Sequence, residues 1–219
     1  MSQGTGVPPI KMKIEHLFSS PLYVNTLEKQ DQALVTKLIP VLEDDFYDAK
    51  DKNKNPNHWN CLSYQTFLHG NGQDELTKCL YKYIDEYLIE LGFNSFKYKV
   101  DGWFNIYDVN QFQESHEHFP DLFSGMVVMQ YDKDKHLPTE FHNITARDIY
   151  INLDQYIKAG WLKAPTNYST AHSFVSLNTM EDFKIFIWSG AQMHRVPKQP
   201  EADKLRITYT FNVTPIDPT

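Results

Sequence analysis

Residues 205–213 read LRITYTFNV. Leu205, Ile207, Tyr209, Phe211 and Val213 share one parity, and Arg206, Thr208, Thr210 and Asn212 share the other. Strict alternation in a run rich in β-branched and aromatic side chains predicts a strand that buries its odd-numbered face. The same period of two runs through KYKVDGWFNIYDV (97–109), LFSGMVVMQYD (122–132) and DFKIFIWSG (182–190). From residue 97 onward the chain therefore reads as antiparallel-type strands.

The half before them reads differently. DELTKCLYKYIDEYLIELG (74–92) places Leu76, Cys79, Leu80, Tyr83, Ile84, Tyr87, Leu88 and Leu91 on one helical stripe. Asp74 and Glu75 suit its N-terminal dipole, and Gly92 can end it. A second helix is expected over 25–47 from Leu27, Leu34, Val35, Leu38, Leu42 and Phe46, with Pro40 kinking or dividing it. Residues 1–13 read as a lead-in, 14–24 as a short strand-like start broken by Pro21, and 48–58 as a polar loop. Residues 133–180 are long and irregular, which suggests a lid or insertion. Helices first and strands after predict a mainly β, α+β domain: a jelly roll or β-sandwich braced by helices. The expected division is one domain over 1–219, with helical support in 14–96 and the β core in 97–219.

Composition narrows the function classes. Of 219 residues 41% are hydrophobic, enough for a sizeable core. The net charge of −7, with no basic run, argues against an extended nucleic-acid surface. Two cysteines, Cys61 and Cys79, suit a reducing cytoplasm better than a disulfide framework. MSQGTGVPPIKMK lacks the apolar stretch of a signal peptide, and no apolar run approaches the ~18–20 residues of a membrane span. A cytoplasmic location without membrane contact is expected. The sequons at Asn143, Asn167 and Asn212 then read as chance matches.

The polar residues suggest chemistry. ESHEHFPDLFSG (114–125) carries His116 and His118, which face the same way on an extended segment while Glu117 points away. Both imidazoles could reach one ion, and QMHRV supplies a third candidate, His194. An exposed loop with two histidines is the plainer reading of that fragment alone. On the even-numbered face of 205–213, Arg206 and Thr208 form a guanidinium fork beside a hydroxyl, suited to a carboxylate. A strand with a solvated polar face explains the same pattern. In WFNIYDV, Asn105 and Tyr107 share a face with Trp103 and could bond a bound anion, or form a polar face capped by a packed Trp. His136, His142 and His172 read as surface or lid residues.

Taken in order, these segments resemble the 2-oxoglutarate- and Fe(II)-dependent oxygenases, and within them a prolyl-4-hydroxylase-like group found in phages and marine bacteria. The similar blocks are LFSSPLYV (17–24), HWNCLSYQT (58–66), WFNIYDVNQFQESHEHFPDLFSGMVV (103–128), IFIWSGAQMHRV (185–196) and RITYTFNV (206–213). The resemblance implies a double-stranded β-helix with Fe(II) held by His116, His118 and His194 at its mouth. It implies 2-oxoglutarate as cosubstrate and O2 as oxidant. The distal carboxylate of the oxoacid would meet Arg206 and Thr208, with Tyr107 and Asn105 as further contacts. The implied reaction couples decarboxylation of 2-oxoglutarate to succinate with oxidation of a substrate C–H bond. The substrate would be a small molecule or a protein side chain, and the location the host cytoplasm if a phage encodes the chain. Oligomeric state stays open, with a homodimer as one option.

Two positions depart from the family pattern. His118 stands where the wider superfamily has Asp or Glu, and Asp121 is the alternative ligand if the chain turns at Pro120. Val128 stands where the group often has Tyr. Two rival classes follow: a three-His cupin-type metalloenzyme that does not use 2-oxoglutarate, and a non-catalytic jelly-roll binding or structural protein.

Overall fold

The computed structural model describes residues 20–51, 61–68, 72–94, 96–142 and 174–216. Among these, two antiparallel sheets face one another. The major sheet runs β1 (Tyr23–Thr26), β9 (Lys184–Ser189), β6 (Phe123–Gln130), β11 (Arg206–Pro215), β4 (Tyr98–Tyr107), β3 (Tyr64–Thr66). The minor sheet runs β2 (Cys61–Leu62), β5 (Phe112–His116), β10 (His194–Val196), β7 (Glu140–His142), β8 (Phe174–Ser176). Helices α1 (Lys29–Asp51) and α2 (Gln73–Glu90) complete the described elements. This is the expected jelly-roll, double-stranded β-helix core. No described helix is long and apolar enough to cross a membrane.

Strand β11 shows why the alternation in 205–213 matters. Its odd-numbered residues Ile207, Tyr209, Phe211 and Val213 join Val35, Leu38, Leu42, Leu76, Leu80 and Ile84 of the helices in one core. Its even-numbered face is not solvated: Arg206 is 1% and Thr208 2% exposed. That face turns toward the minor sheet, where Met126, Val128, Phe141, Phe186 and Trp188 belong to a second apolar cluster. The major sheet is thus covered on both sides, and polar groups on its inner face must find partners or ligands.

Three expectations change. The first helix spans 29–51, not 25–47, because residues 23–26 pair with β9 as β1. It continues through Pro40, which is exposed, so the lost hydrogen bond faces water while Val35, Leu38, Leu42 and Phe46 keep one buried stripe across the break. The helix also extends into the expected polar loop. Finally, both ends of the irregular segment 133–180 are sheet rather than lid: β7 pairs with β10, and β8 pairs with β7. Residues 143–173 of that segment, His172 among them, lie outside the described residues.

Candidate metal and anion site

Strand register brings two of the histidines together. His194 on β10 sits directly opposite His116 on β5, and their rings stand 4.3 Å apart between centroids. Facing positions on neighbouring strands put side chains within direct contact. His118 lies two residues beyond the end of β5, its ring 5.0 Å from that of His116 and 5.2 Å from that of His194. One ring nitrogen from each lies within 4.8 Å of the others.

Their hydrogen bonds leave ligand atoms ready. Nδ1 of His116 meets the carbonyl of Glu114 at 2.7 Å, and Nδ1 of His194 meets the carbonyl of Gln192 at 2.9 Å. A carbonyl only accepts, so Nδ1 must carry the proton and Nε2 keeps its lone pair in both rings. Nε2 of His118 is buried with no hydrogen-bond partner. Burial, reinforced by the neighbouring imidazoles, holds His194 well below the ordinary range and His118 down to about 4, and burial also lowers His116. All three are neutral at pH 7, the state in which imidazole binds a metal. An orphaned imidazole nitrogen beside two correctly oriented ones fits a divalent transition metal.

This arrangement sets a sign for acid sensitivity. The folded-state pKa values lie below 6.5, so the unfolded chain takes up protons first as the pH falls. Metal-free protein is expected to lose stability as pH drops from 6.5 towards about 4, with His118 reaching its folded pKa at the lower end. Denaturant midpoints of chelator-treated protein across that window check it; a flat profile would contradict the burial of these rings.

Asp121 does not join the cluster. Its Oδ2 accepts from Nδ2 of Asn212 at 2.8 Å and its Oδ1 from the hydroxyl of Thr214 at 2.6 Å. Both oxygens already have hydrogen-bond partners, and the ligand atoms that gather are those of the three histidines alone among the described residues. Glu117 is exposed. What turns the chain so is Gly190. His118 N–H donates to its carbonyl at 2.8 Å, and its own N–H donates to the carbonyl of Leu122 at 3.0 Å. A Cβ there would lie 2.0 Å from the carbonyl oxygen of Asp121. Gly190→Ala is therefore expected to push the 118–122 turn away and weaken metal binding by about 10- to 100-fold, as loss of ligand orientation does. Titration with Co(II) measures it, and wild-type affinity would refute the clamp.

The same cavity is lined by Trp103, Tyr107, Gln113, Met126, Thr139, Trp188, Val196, Arg206, Thr208 and Thr210, with His116 and His194 at its wall. No described carboxylate lines it. Arg206 donates from Nη2 to Thr139 Oγ1 at 2.8 Å and to the sulfur of Met180 at 4.0 Å, and its Cζ stands 4.9 Å over the ring of Tyr107. Its Nε and Nη1 are buried without partners, and burial lowers its pKa. Tyr107 donates its hydroxyl to Gln113 at 3.0 Å. Thr208 lines the cavity too. Asn105 is set back: it donates to Thr210 Oγ1 at 2.8 Å and accepts from Gln65 at 3.0 Å, so its reach into the cavity runs through Thr210.

Sequence reasoning passed over Thr139, Trp188 and Gly190. Thr139 fell in the irregular segment, and Trp188 and Gly190 in a block quoted only for His194. His136 is a further correction: it is 5% exposed, takes a bond from Asp132 N–H at 2.9 Å and reaches the carbonyl of Lys204 at 3.0 Å. It packs the core rather than a lid. His142 meets the Ser115 hydroxyl at 2.6 Å.

No family model matches the chain, and no curated protein matches it. Solved structures do. A prolyl-4-hydroxylase from Pseudomonas putida aligns over 91% of this chain and 95% of its own, at 9% identity and a TM-score of 0.58. A viral collagen prolyl hydroxylase from Paramecium bursaria Chlorella virus-1, solved as a 2-oxoglutarate complex, aligns over 89% and 96%, at 14% identity and 0.53. A Trichoplax adhaerens prolyl hydroxylase, in complex with a peptide fragment of the hypoxia inducible factor oxygen degradation domain, aligns over 89% and 83%, at 9% identity and 0.56. The chain shares their fold.

Proposed function

We propose that this protein is an Fe(II)- and 2-oxoglutarate-dependent oxygenase, a hydroxylase of substrate C–H bonds. One observation carries the reading. Three neutral imidazoles gather at one cavity, two of them in its wall, beside a buried arginine with two nitrogens that lack partners, and no described carboxylate lines that cavity. A divalent ion and a guanidinium together call for an anion with acceptors at both ends. A 2-oxo dicarboxylate supplies the negative charge that the three-His set lacks. The likeness of fold to prolyl hydroxylases, one of them solved as a 2-oxoglutarate complex, agrees with this chemistry.

In this reading His116, His118 and His194 hold the metal, with Nδ1 of His116 and of His194 anchored to backbone carbonyls so that the rings do not swing. Arg206 takes the distal carboxylate through Nε and Nη1. Thr208 offers a hydroxyl beside it, and Tyr107 and Thr139 hold the guanidinium in place. Iron, when bound, supplies the oxidative chemistry that couples oxoacid decarboxylation to C–H oxidation. The apolar residues Met126, Val196 and Trp188 around the cavity exclude water from it. The substrate is a small molecule or a protein side chain; the fold neighbours make peptidyl proline the first class to test.

Anaerobic Fe(II) with 2-oxoglutarate is expected to give the visible metal-to-ligand charge-transfer band of the chelate. Iron binding without that band would favour the three-His metalloenzyme that works without the oxoacid. Failure to bind iron would favour the non-catalytic jelly roll.

A further inference from the structure

Five buried side-chain atoms of the described residues lack a hydrogen-bond partner: Nε1 of Trp103, Nε2 of His118, Nε1 of Trp188, and Nε and Nη1 of Arg206. Orphaned buried polar groups are rare in folded proteins, and each calls for a reason. Here all five belong to one site. The imidazole nitrogen is explained by a metal and the guanidinium by a distal carboxylate. The two indole N–H groups are left over.

Their placement is distinctive. Trp188 is 2% exposed and its ring stands 5.0 Å from that of His194, edge to face. The ring of Trp103 stands 5.9 Å from that of His118. Both line the cavity. Trp103 is paired with Thr210, four residues along β11 from Arg206 and so well separated from the arginine along the inner face. At ~3.4 Å per residue that separation is roughly 14 Å between backbone positions. An indole N–H can only donate. Two donors beside the imidazoles therefore fit a ligand whose acceptor atoms gather next to the metal.

Resting on the reading above, we propose that Trp188 Nε1–H, with Trp103 Nε1–H as its partner, binds the oxo-carboxylate end of the cosubstrate. The indoles recognise the end that chelates the metal, while Arg206 recognises the other. Affinity for the oxoacid is then divided between two independent donor sets, and a mono-acid that lacks the distal carboxylate still uses the indoles.

Calorimetric titration of Mn(II)-loaded protein with 2-oxoglutarate and with 2-oxobutyrate tests this. Trp188→Phe is expected to keep the wild-type Mn(II) stoichiometry and to weaken both acids by the same factor, about tenfold, as loss of a bond to a charged group does. Arg206→Met should weaken only the diacid. Should Trp188→Phe fail to fold, Trp188→β-(3-benzothienyl)alanine keeps the bicyclic shape and deletes only the N–H. Wild-type affinity of either Trp188 variant for both acids would overturn the proposal, leaving the N–H to the His194 ring face. A loss confined to the diacid would also overturn it. Wild-type protein that binds Mn(II) but neither acid would instead overturn the cosubstrate reading, and this proposal with it.

Discussion

Arg206→Met is expected to abolish useful 2-oxoglutarate binding while raising the melting temperature of the ligand-free protein. The two effects have one cause. Arg206 is 1% exposed, and only its Nη2 has hydrogen-bond partners, the Thr139 hydroxyl and, at 4.0 Å, the weakly accepting sulfur of Met180. Its remaining buried donors have no partner, and no described carboxylate neutralises it. A buried charge left in that state costs several kcal/mol, and an apolar side chain of similar length removes the cost. A protein of this size gains roughly 2–4 °C for each kcal/mol recovered. With ligand the sign reverses. Removing one partner of a buried ion pair costs about 3–5 kcal/mol, which is a loss of about 100-fold or more in affinity. Thermal scans with and without the oxoacid on metal-loaded protein read both effects. A variant that is destabilised without ligand and binds the oxoacid normally would make Arg206 a structural residue.

The second large effect separates His118 from Asp121. His118→Ala is expected to weaken metal binding on the order of 100-fold or more, since it deletes a ligand rather than a support. Asp121→Ala is expected to leave metal affinity near wild type and to lower stability instead, by about 1–3 kcal/mol. The reason is that both Asp121 oxygens accept bonds, from Asn212 and Thr214, and lie outside the imidazole cluster. Metal titration beside denaturant unfolding of the two variants checks the pair. Loss of metal in Asp121→Ala with retention in His118→Ala would restore a carboxylate ligand.

Much of the fold was legible because alternation and helical stripes are local. The odd and even faces of 205–213 and the stripe of 74–92 each depend on residues a few positions apart. The site was legible only where a strand placed its residues. Arg206, Thr208 and Tyr107 follow from the parity of their strands. Whether the even face of β11 met water or the second sheet could not be read from β11 itself, because that depends on the minor sheet packing over it. Thr139 was hidden because β7 is three residues long and carries no periodic signal. The choice between His118 and Asp121 hung on a turn whose direction is set by Gly190, through contacts made across 72 and 68 positions of chain. The extension of α1 through Pro40 shows tertiary burial outweighing a local breaker.

Strand β11 has one face in the helical core and the other in the cavity, with no solvated side. Its tolerance to change in length follows. Inserting or deleting a single residue between 206 and 213 would exchange the faces on one side of the change, sending either Arg206 into the oily layer against α1 and α2 or core residues such as Phe211 into the cavity. Stability and chemistry would fail in one step, with no intermediate in which one survives. Lineages descending from this chain can vary in length at their loops, while this strand keeps its residue count.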